Sequence, residues 1–221
     1  MIRRLVYLVV ILVVAALVGL DFGAKWLAAR AVAAQAQRST GATSGSASIS
    51  GFPFLYDAIG QGRVQGLHVH LGDVPAGPGL RLQSVTVDLS QVHFDRHSLW
   101  AHRKVRVTSI TSGTGVIDVS VAELTAVSGR TVTIGPPGPA GQPQVLVDMP
   151  GGRTVAATAT IASGHFLQIV AGGLPVLNVD LARTPLVQDC AMSLRVTGSG
   201  VEASCTMSPV PPSVIAAVSS R

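Results

Sequence analysis

Arg3 and Arg4 stand directly before an uncharged apolar run, Leu5 to Leu20. Basic residues ahead of such a run hold the N-terminus on the cytoplasmic side and send the rest of the chain across the membrane. Everything after the run is therefore expected to fold on the non-cytoplasmic side. Sixteen helical residues reach about 24 Å, short of a hydrocarbon core of ~30 Å. Extending the helix to Ala24 closes the gap. Asp21 then lies near the outer boundary, Lys25 can snorkel and Trp26 can sit at the interface. Cleavage needs a small-x-small site soon after the run, and the nearest, Ala29-x-Ala31 and Ala34-x-Ala36, lie well past it. An uncleaved anchor is the expectation, with a cleaved signal and a secreted domain as the alternative.

The organisation that follows is an anchor over 1–24, an Ala-rich helix with a Ser/Gly-rich link over 25–50, a β-rich domain over 51–208 and a tail over 209–221. The stretch Ser39 to Ser46 reads as a flexible link or an irregular edge. Beyond it, alternation of apolar and polar residues dominates. Leu67, Val69 and Leu71 alternate with His68 and His70. Leu80 and Leu82 alternate, and the phase then shifts to Val85, Val87 and Leu89, which predicts a β-bulge and a bend. Further strands are expected from Val105, at Val132–Ile134, Val145–Val147, Val155–Ile161, His165–Val170 and Leu174–Leu181. Gly- and Pro-rich turns separate them. Ser120 and Glu123 form a capping box for a short helix that Gly129 can end, and a helical turn is expected at Leu55 to Gly60. The fold class is α+β, mainly β: a long curved antiparallel sheet wrapped on one or two helices, behind the N-terminal membrane or signal helix.

Hydrophobic residues make up 48% of the 221 and charged residues only 12%, more apolar side chain than a small core needs. An interior groove or a membrane-facing surface would use the excess. The net charge of +5 is spread along the chain without a basic run interleaved with aromatics, so nucleic acid is not an expected partner. A mild positive bias instead suits anionic lipid headgroups. Cys190 and Cys205 flank a hairpin around Gly198-Ser199-Gly200 and fit one disulfide in an oxidising compartment, with two buried free thiols as the alternative.

Catalytic signatures are missing. No GxSxG elbow occurs, and no close pair of carboxylates suggests acid–base work. His68 and His70 share a strand face but have no third ligand nearby in sequence, so a solvated face is preferred to a metal site. No enzyme activity, metal or cofactor is expected. His93, His97 and His102 fall in a polar stretch read as a loop, which also holds Arg96, Trp100, Arg103, Lys104 and Arg106. A Trp among cations suits a membrane surface or a phosphate, and an ordinary solvated hairpin end is the alternative. Gly51-Phe52-Pro53-Phe54-Leu55-Tyr56 concentrates aromatics on a defined turn, either as a plug at one end of the sheet or as the mouth of a lipid site.

The order of these pieces resembles a known family. An Arg-flanked N-terminal segment and helix precede Gly51-Phe52-Pro53-Phe54-Leu55. The strand Gly66-Leu67-His68-Val69 follows, then Leu80 to Leu89 and the helix start at Ile117 to Leu124. This resembles the actinobacterial envelope phospholipid-binding proteins that include the mycobacterial lipomannan elongation factor, from the N-terminus through about Leu124. The resemblance implies a fold like the tubular lipid-binding proteins and a phospholipid ligand in the cell envelope. It further implies support of lipid-linked mannan maturation without a known enzymatic reaction. The cysteine pair and the basic loop depart from the family pattern.

The expected acyl-chain contacts are Phe52, Phe54, Leu55, Val69, Leu71, Val85 and Val87. The expected headgroup or membrane contacts are Trp100, Arg103, Lys104 and Arg106. The expected partners are phospholipid and membrane. The alternative function is a membrane-anchored interaction module whose apolar sheet packs into a protein partner.

Overall fold

The computed structural model describes residues 2–77, 79–102, 106–137, 143–162, 166–180, 190, 192–212 and 215, with backbone alone at 2–10, 13, 99, 100, 143, 179 and 180. The apolar run and the Ala-rich segment behind it form one helix, α1, Ile2–Thr40. Ala is the best helix former, so nothing interrupts the helix where the apolar run ends. Gly41, with φ 73°, closes it by donating its N–H to the Gln37 carbonyl at 2.8 Å.

Among the described residues eleven strands follow: β1 Ser44–Ser50, β2 Arg63–Gly77, β3 Leu80–Phe94, β4 Val107–Ser120, β5 Val132–Pro137, β6 Pro143–Met149, β7 Arg153–Ala162, β8 Phe166–Ala171, β9 Leu174–Asp180, β10 Met192–Val196 and β11 Gly200–Met207. They form a six-stranded antiparallel sheet in the order β1-β2-β3-β4-β11-β10 and a five-stranded antiparallel meander, β5 to β9. The α+β, mainly β expectation holds, with two sheets rather than one. Val105, His165 and Leu181, placed in strands from sequence, lie outside the described residues, as does most of the tail.

Three local expectations are corrected. Part of the Ser/Thr/Gly stretch is the regular edge strand β1, paired with β2 from Ser44↔Gly72 to Ser50↔Gly66. Its small side chains let α1 lie on it: a Cβ on Gly45 would stand 2.8 Å from Gln37 Cγ and 2.9 Å from Leu71 Cδ2. The polar stretch read as a loop contains the short helix α2, Arg96–His102. Asp95 caps it, accepting from the His97 N–H at 2.9 Å and the Ser98 hydroxyl at 2.8 Å. The phase shift in β3 is not a bulge. Pairing with β2 keeps one register through Gly72↔Ser84 and Val74↔Leu82, and both strands change face together where Asp73 adopts φ 58°. The two strands change face together a second time at Gln91, φ 54°, between Ser90 and Val92.

The capping box forms in half. Ser120 accepts the Glu123 N–H at 3.3 Å and starts α3, Val121–Ser128, but the Glu123 carboxylate takes the Arg81 N–H instead of reaching back. Leu124 of α3 is fully buried where the sheets approach; α3 touches β3, β4, β5 and β9. β10 reaches β6 and β7, and a single apolar cluster runs through both sheets. Cys190 and Cys205 are disulfide-bonded, with Cα atoms 5.9 Å apart.

Candidate lipid-binding site

Directly paired residues on neighbouring strands point to the same face, and alternate residues repeat it. On the six-stranded sheet one such row runs Gly45, Leu71, Val85, Ile117, Ala203. The next runs Ala47, Val69, Val87, Gly115, Cys205. The four strand residues expected to line a lipid site therefore form a contiguous block, Val69 beside Val87 and Leu71 beside Val85. All four are buried.

Three things cover this face unevenly. At the β1 side α1 lies across it, with Ala29 and Ala33 buried and Val32 and Ala36 packed on the core. At Gly113 a Cβ would come within 3.1 Å of Leu89 and 3.3 Å of Val210. Cys205, buried and tied to Cys190, covers the β11 side. Between them is Gly115, flanked by Val87 and Cys205. Among the described residues a Cβ there would meet nothing within 4 Å. The face is thus apolar, with open space at Gly115 among the described residues.

The other three expected lipid contacts lie apart from that block. The segment from Gly51 to Leu55 sits at the end of the sheet where β2 begins and α1 arrives. Phe52 is exposed, while Phe54 and Leu55 are half-buried. A helical turn starts at Phe54 and continues as a π-helical turn, Tyr56–Gln61, which Gly62 closes at φ 66°. The Asp21 carboxylate accepts the Phe54 N–H at 3.0 Å and the Leu55 N–H at 2.6 Å, so α1 itself supplies the cap of that turn. Lys25 Nζ donates to the Gly51 carbonyl at 3.3 Å, and the Phe22 and Phe52 rings stack at 6.2 Å. Asp21 is one of two buried charged residues among the described residues. The other, Asp57, takes the Gln65 amide at 2.8 Å and has Arg63 at 3.6 Å.

The basic stretch lies at this same end. Arg96 donates to the Gly60 carbonyl, the Phe94 N–H bonds the Gly62 carbonyl at 2.8 Å, and the Asp95 N–H bonds the Arg106 carbonyl at 2.9 Å. Arg106 is exposed, and Trp100 belongs to α2. Arg103 and Lys104 lie outside the described residues. Ile59, Phe94, Asp95, Arg96 and His97 line an open depression of about 560 Å³. The Ser98 hydroxyl, and then the His97 N–H, hold the Asp95 carboxyl below the ordinary range, so it stays charged as the cap of α2. His68 and His70 face solvent, bonded to Asp88 at 2.5 Å and Thr86 at 3.0 Å. No metal-holding cluster occurs among the described residues.

An apolar sheet face, with a cationic and aromatic end beside it, suits a ligand with a long apolar part and an anionic head. The sequence profile of LmeA-like phospholipid-binding proteins matches residues 19–163, well over half of the chain. The chain belongs to this family. The match covers Asp21, the Gly51–Leu55 turn, strands β2 to β4 and α3, and continues to the end of β7. The family is phospholipid-binding by description, and phospholipid is the ligand class it assigns to this chain. No curated protein and no solved structure matches the chain.

Reading the sequence alone placed Asp21 and Lys25 at the membrane boundary without linking them to the Gly51–Leu55 turn, and left out Phe22 and Gly115. Asp21 had a visible signal: it is the first acid in the chain and directly follows the apolar run. Gly115 had none, because its role depends on which strands pair beside it.

Proposed function

We propose that this chain is a membrane-anchored, extracytoplasmic phospholipid-binding protein of the cell envelope. It holds acyl chain in the trough between α1 and the β11 side of the six-stranded sheet, and binds lipid without transforming it. The open space over Gly115, in a face otherwise built of Val69, Leu71, Val85 and Val87, is the observation that carries this reading. Apolar burial contributes about 0.8 kcal/mol per CH₂, so a chain of roughly a dozen methylenes is retained without any polar contact. Support of lipid-linked mannan synthesis is the cellular role the family resemblance implies.

The anchor rests on the sequence of Leu5–Leu20. Among the described residues no helix is long and apolar enough to cross a membrane, and residues 5–10 and 13 of that run are described by backbone alone. Ile11, Leu12, Val14, Leu17 and Leu20 are all exposed, and Asp21 is the first buried residue among the described side chains of α1. Cleavage after Ala31 or Ala36 would remove Asp21, Lys25 and the buried Ala29 from the fold. This supports an anchor that is retained.

A second reading, an interaction module with no lipid, draws on the burial of Val69, Leu71, Val85 and Val87, which already have packing partners. Native mass spectrometry of the detergent-released full chain separates the two readings. Phospholipid at near one per chain, lost in a folded Gly115→Leu variant, is the outcome expected. An unliganded wild-type chain favours the interaction module. Equal lipid loading in Gly115→Leu removes the trough from consideration.

A further inference from the structure

We propose that the junction of α1 with the Gly51–Gly62 segment is a bilayer-docking surface, and that Asp21 is its positioning residue. This rests on the anchored reading above and adds to it how the domain is held: seated on the anionic outer surface of the bilayer rather than tethered away from it.

Four large side chains at this junction, Phe22, Trp26, Phe52 and Tyr56, are about three-fifths exposed, and Ile59 lies on the same turn as Tyr56. Exposed aromatics in one place are unusual on a surface that meets only water. Phe22 and Trp26 directly follow the exposed apolar residues Ile11, Leu12, Val14, Leu17 and Leu20 along α1, so the surface begins where the membrane segment ends. The aromatic ring is the side chain that prefers the headgroup level of a bilayer. Arg30 lies over the Trp26 ring at 5.3 Å, and Arg96 and Arg106 are exposed at the same end of the sheet. The acids there are committed internally: Asp21 to the Phe54 and Leu55 N–H groups, Asp57 to Gln65 and Arg63, Asp95 to the start of α2. The surface presented outward is therefore aromatic and cationic, which matches an anionic lipid surface and not a neutral or acidic protein face.

A tether alone would leave the domain free to swing. Asp21 prevents this, because its carboxylate is shared between the end of the membrane segment and the backbone of the docking turn. With Lys25 on the Gly51 carbonyl and Phe22 on Phe52, the turn is fixed to the helix on three sides. The six-stranded sheet then starts at the membrane, since β2 leaves this turn through Gly62 and β3 returns to it at Phe94.

The test uses the full chain reconstituted in vesicles of phosphatidylcholine and phosphatidylglycerol brominated in their acyl chains. Two single-tryptophan proteins are compared. One carries Trp100→Phe and reports from Trp26 on α1; the other carries Trp26→Phe, Trp100→Phe and Tyr56→Trp and reports from the docking turn. Quenching of both, with loss of quenching only in the second when Asp21→Ala is added, is the expected result. Quenching of Trp26 without quenching of the Tyr56→Trp reporter overturns docking and leaves the anchor intact. Quenching of neither overturns the anchored reading and docking with it. Unchanged quenching of the Tyr56→Trp reporter in Asp21→Ala overturns the role given to Asp21. Should Asp21→Ala fail to fold, Lys25→Gln and Phe22→Ser loosen the same junction from a half-buried and an exposed position. Loss of the second reporter's quenching is expected there too, and unchanged quenching in both overturns the clamp. Vesicles of phosphatidylcholine alone are expected to quench the turn reporter less; equal quenching overturns the anionic preference.

Discussion

Asp21 Oδ1 accepts the Leu55 N–H at 2.6 Å across 34 residues of sequence, joining the end of the apolar segment to the turn that opens the six-stranded sheet. A buried carboxylate with two backbone donors is a charge-assisted arrangement, and each such bond contributes about 1.5–3 kcal/mol. Asp21→Ala is expected to lower the stability of the full chain in detergent micelles by about 2–4 kcal/mol, since two N–H groups lose their acceptor. Asp21→Asn, which keeps an acceptor oxygen, is expected to lie between it and wild type. Thermal melting of the three proteins checks the order.

Two glycines on the same sheet face should behave oppositely. Gly45 is crowded by Gln37 and Leu71, so Gly45→Val overpacks the contact between α1 and β1 and should cost about 1–3 kcal/mol. Gly115 faces open space, so Gly115→Val is expected to leave the melting temperature within a degree or two of wild type while reducing bound phospholipid. Equal destabilisation by both would contradict the trough.

The Cys190–Cys205 bond closes a separation of 15 residues beside the trough. Loop-closure entropy for a loop of that size corresponds to about 3 kcal/mol. Cys190→Ser with Cys205→Ser, or reduction of the wild type, is therefore expected to lower the melting temperature by several degrees. The reduced and double-variant proteins should melt together.

Arg81 first, and then Thr43, hold the Asp73 carboxyl below its ordinary value of 3.8. A depressed carboxylate adds stability that is complete above the ordinary value and disappears as pH falls through the lower folded value. The side chain is exposed, so the effect is small. Asp73→Asn, which tolerates the φ of 58° at this position, should flatten the acid limb of a melting-temperature profile. An unchanged limb would assign acid sensitivity to other carboxylates.

N-terminal processing offers a direct check on the anchor. Peptide mapping of the protein purified from its native host is expected to recover peptides containing Asp21 and Lys25. A mature chain beginning at Val32 or Gln37 would contradict the role of the junction.

Much of the architecture was legible in residue order because it depends on local chemistry. Ser120, Glu123 and Gly129 mark α3 by their capping preferences, and alternation marks β2 and β3. The cysteine hairpin follows from two short strands around a glycine turn. Other features were hidden for identifiable reasons. The strand Ser44–Ser50 has a linker's composition and is a strand because it pairs with β2, its small residues leaving room for α1. The helix Arg96–His102 depends on Asp95, whose capping bonds carry no hydrophobic periodicity.

The sequence by itself determined the apolar run with its flanking arginines, the strand and turn punctuation, the apolar excess and the likeness to phospholipid-binding proteins. All of these reside in the kind of side chain and its spacing from near neighbours. Only the tertiary structure decided that Asp21 caps Phe54 and Leu55, that both β2 and β3 change face at Asp73, and that Gly115 pairs with Val87 beside open space. Those relations join residues far apart in the chain. A buried carboxylate finds its donors, and a glycine its empty neighbour, only after strand pairing and the packing of α1 have brought distant segments together.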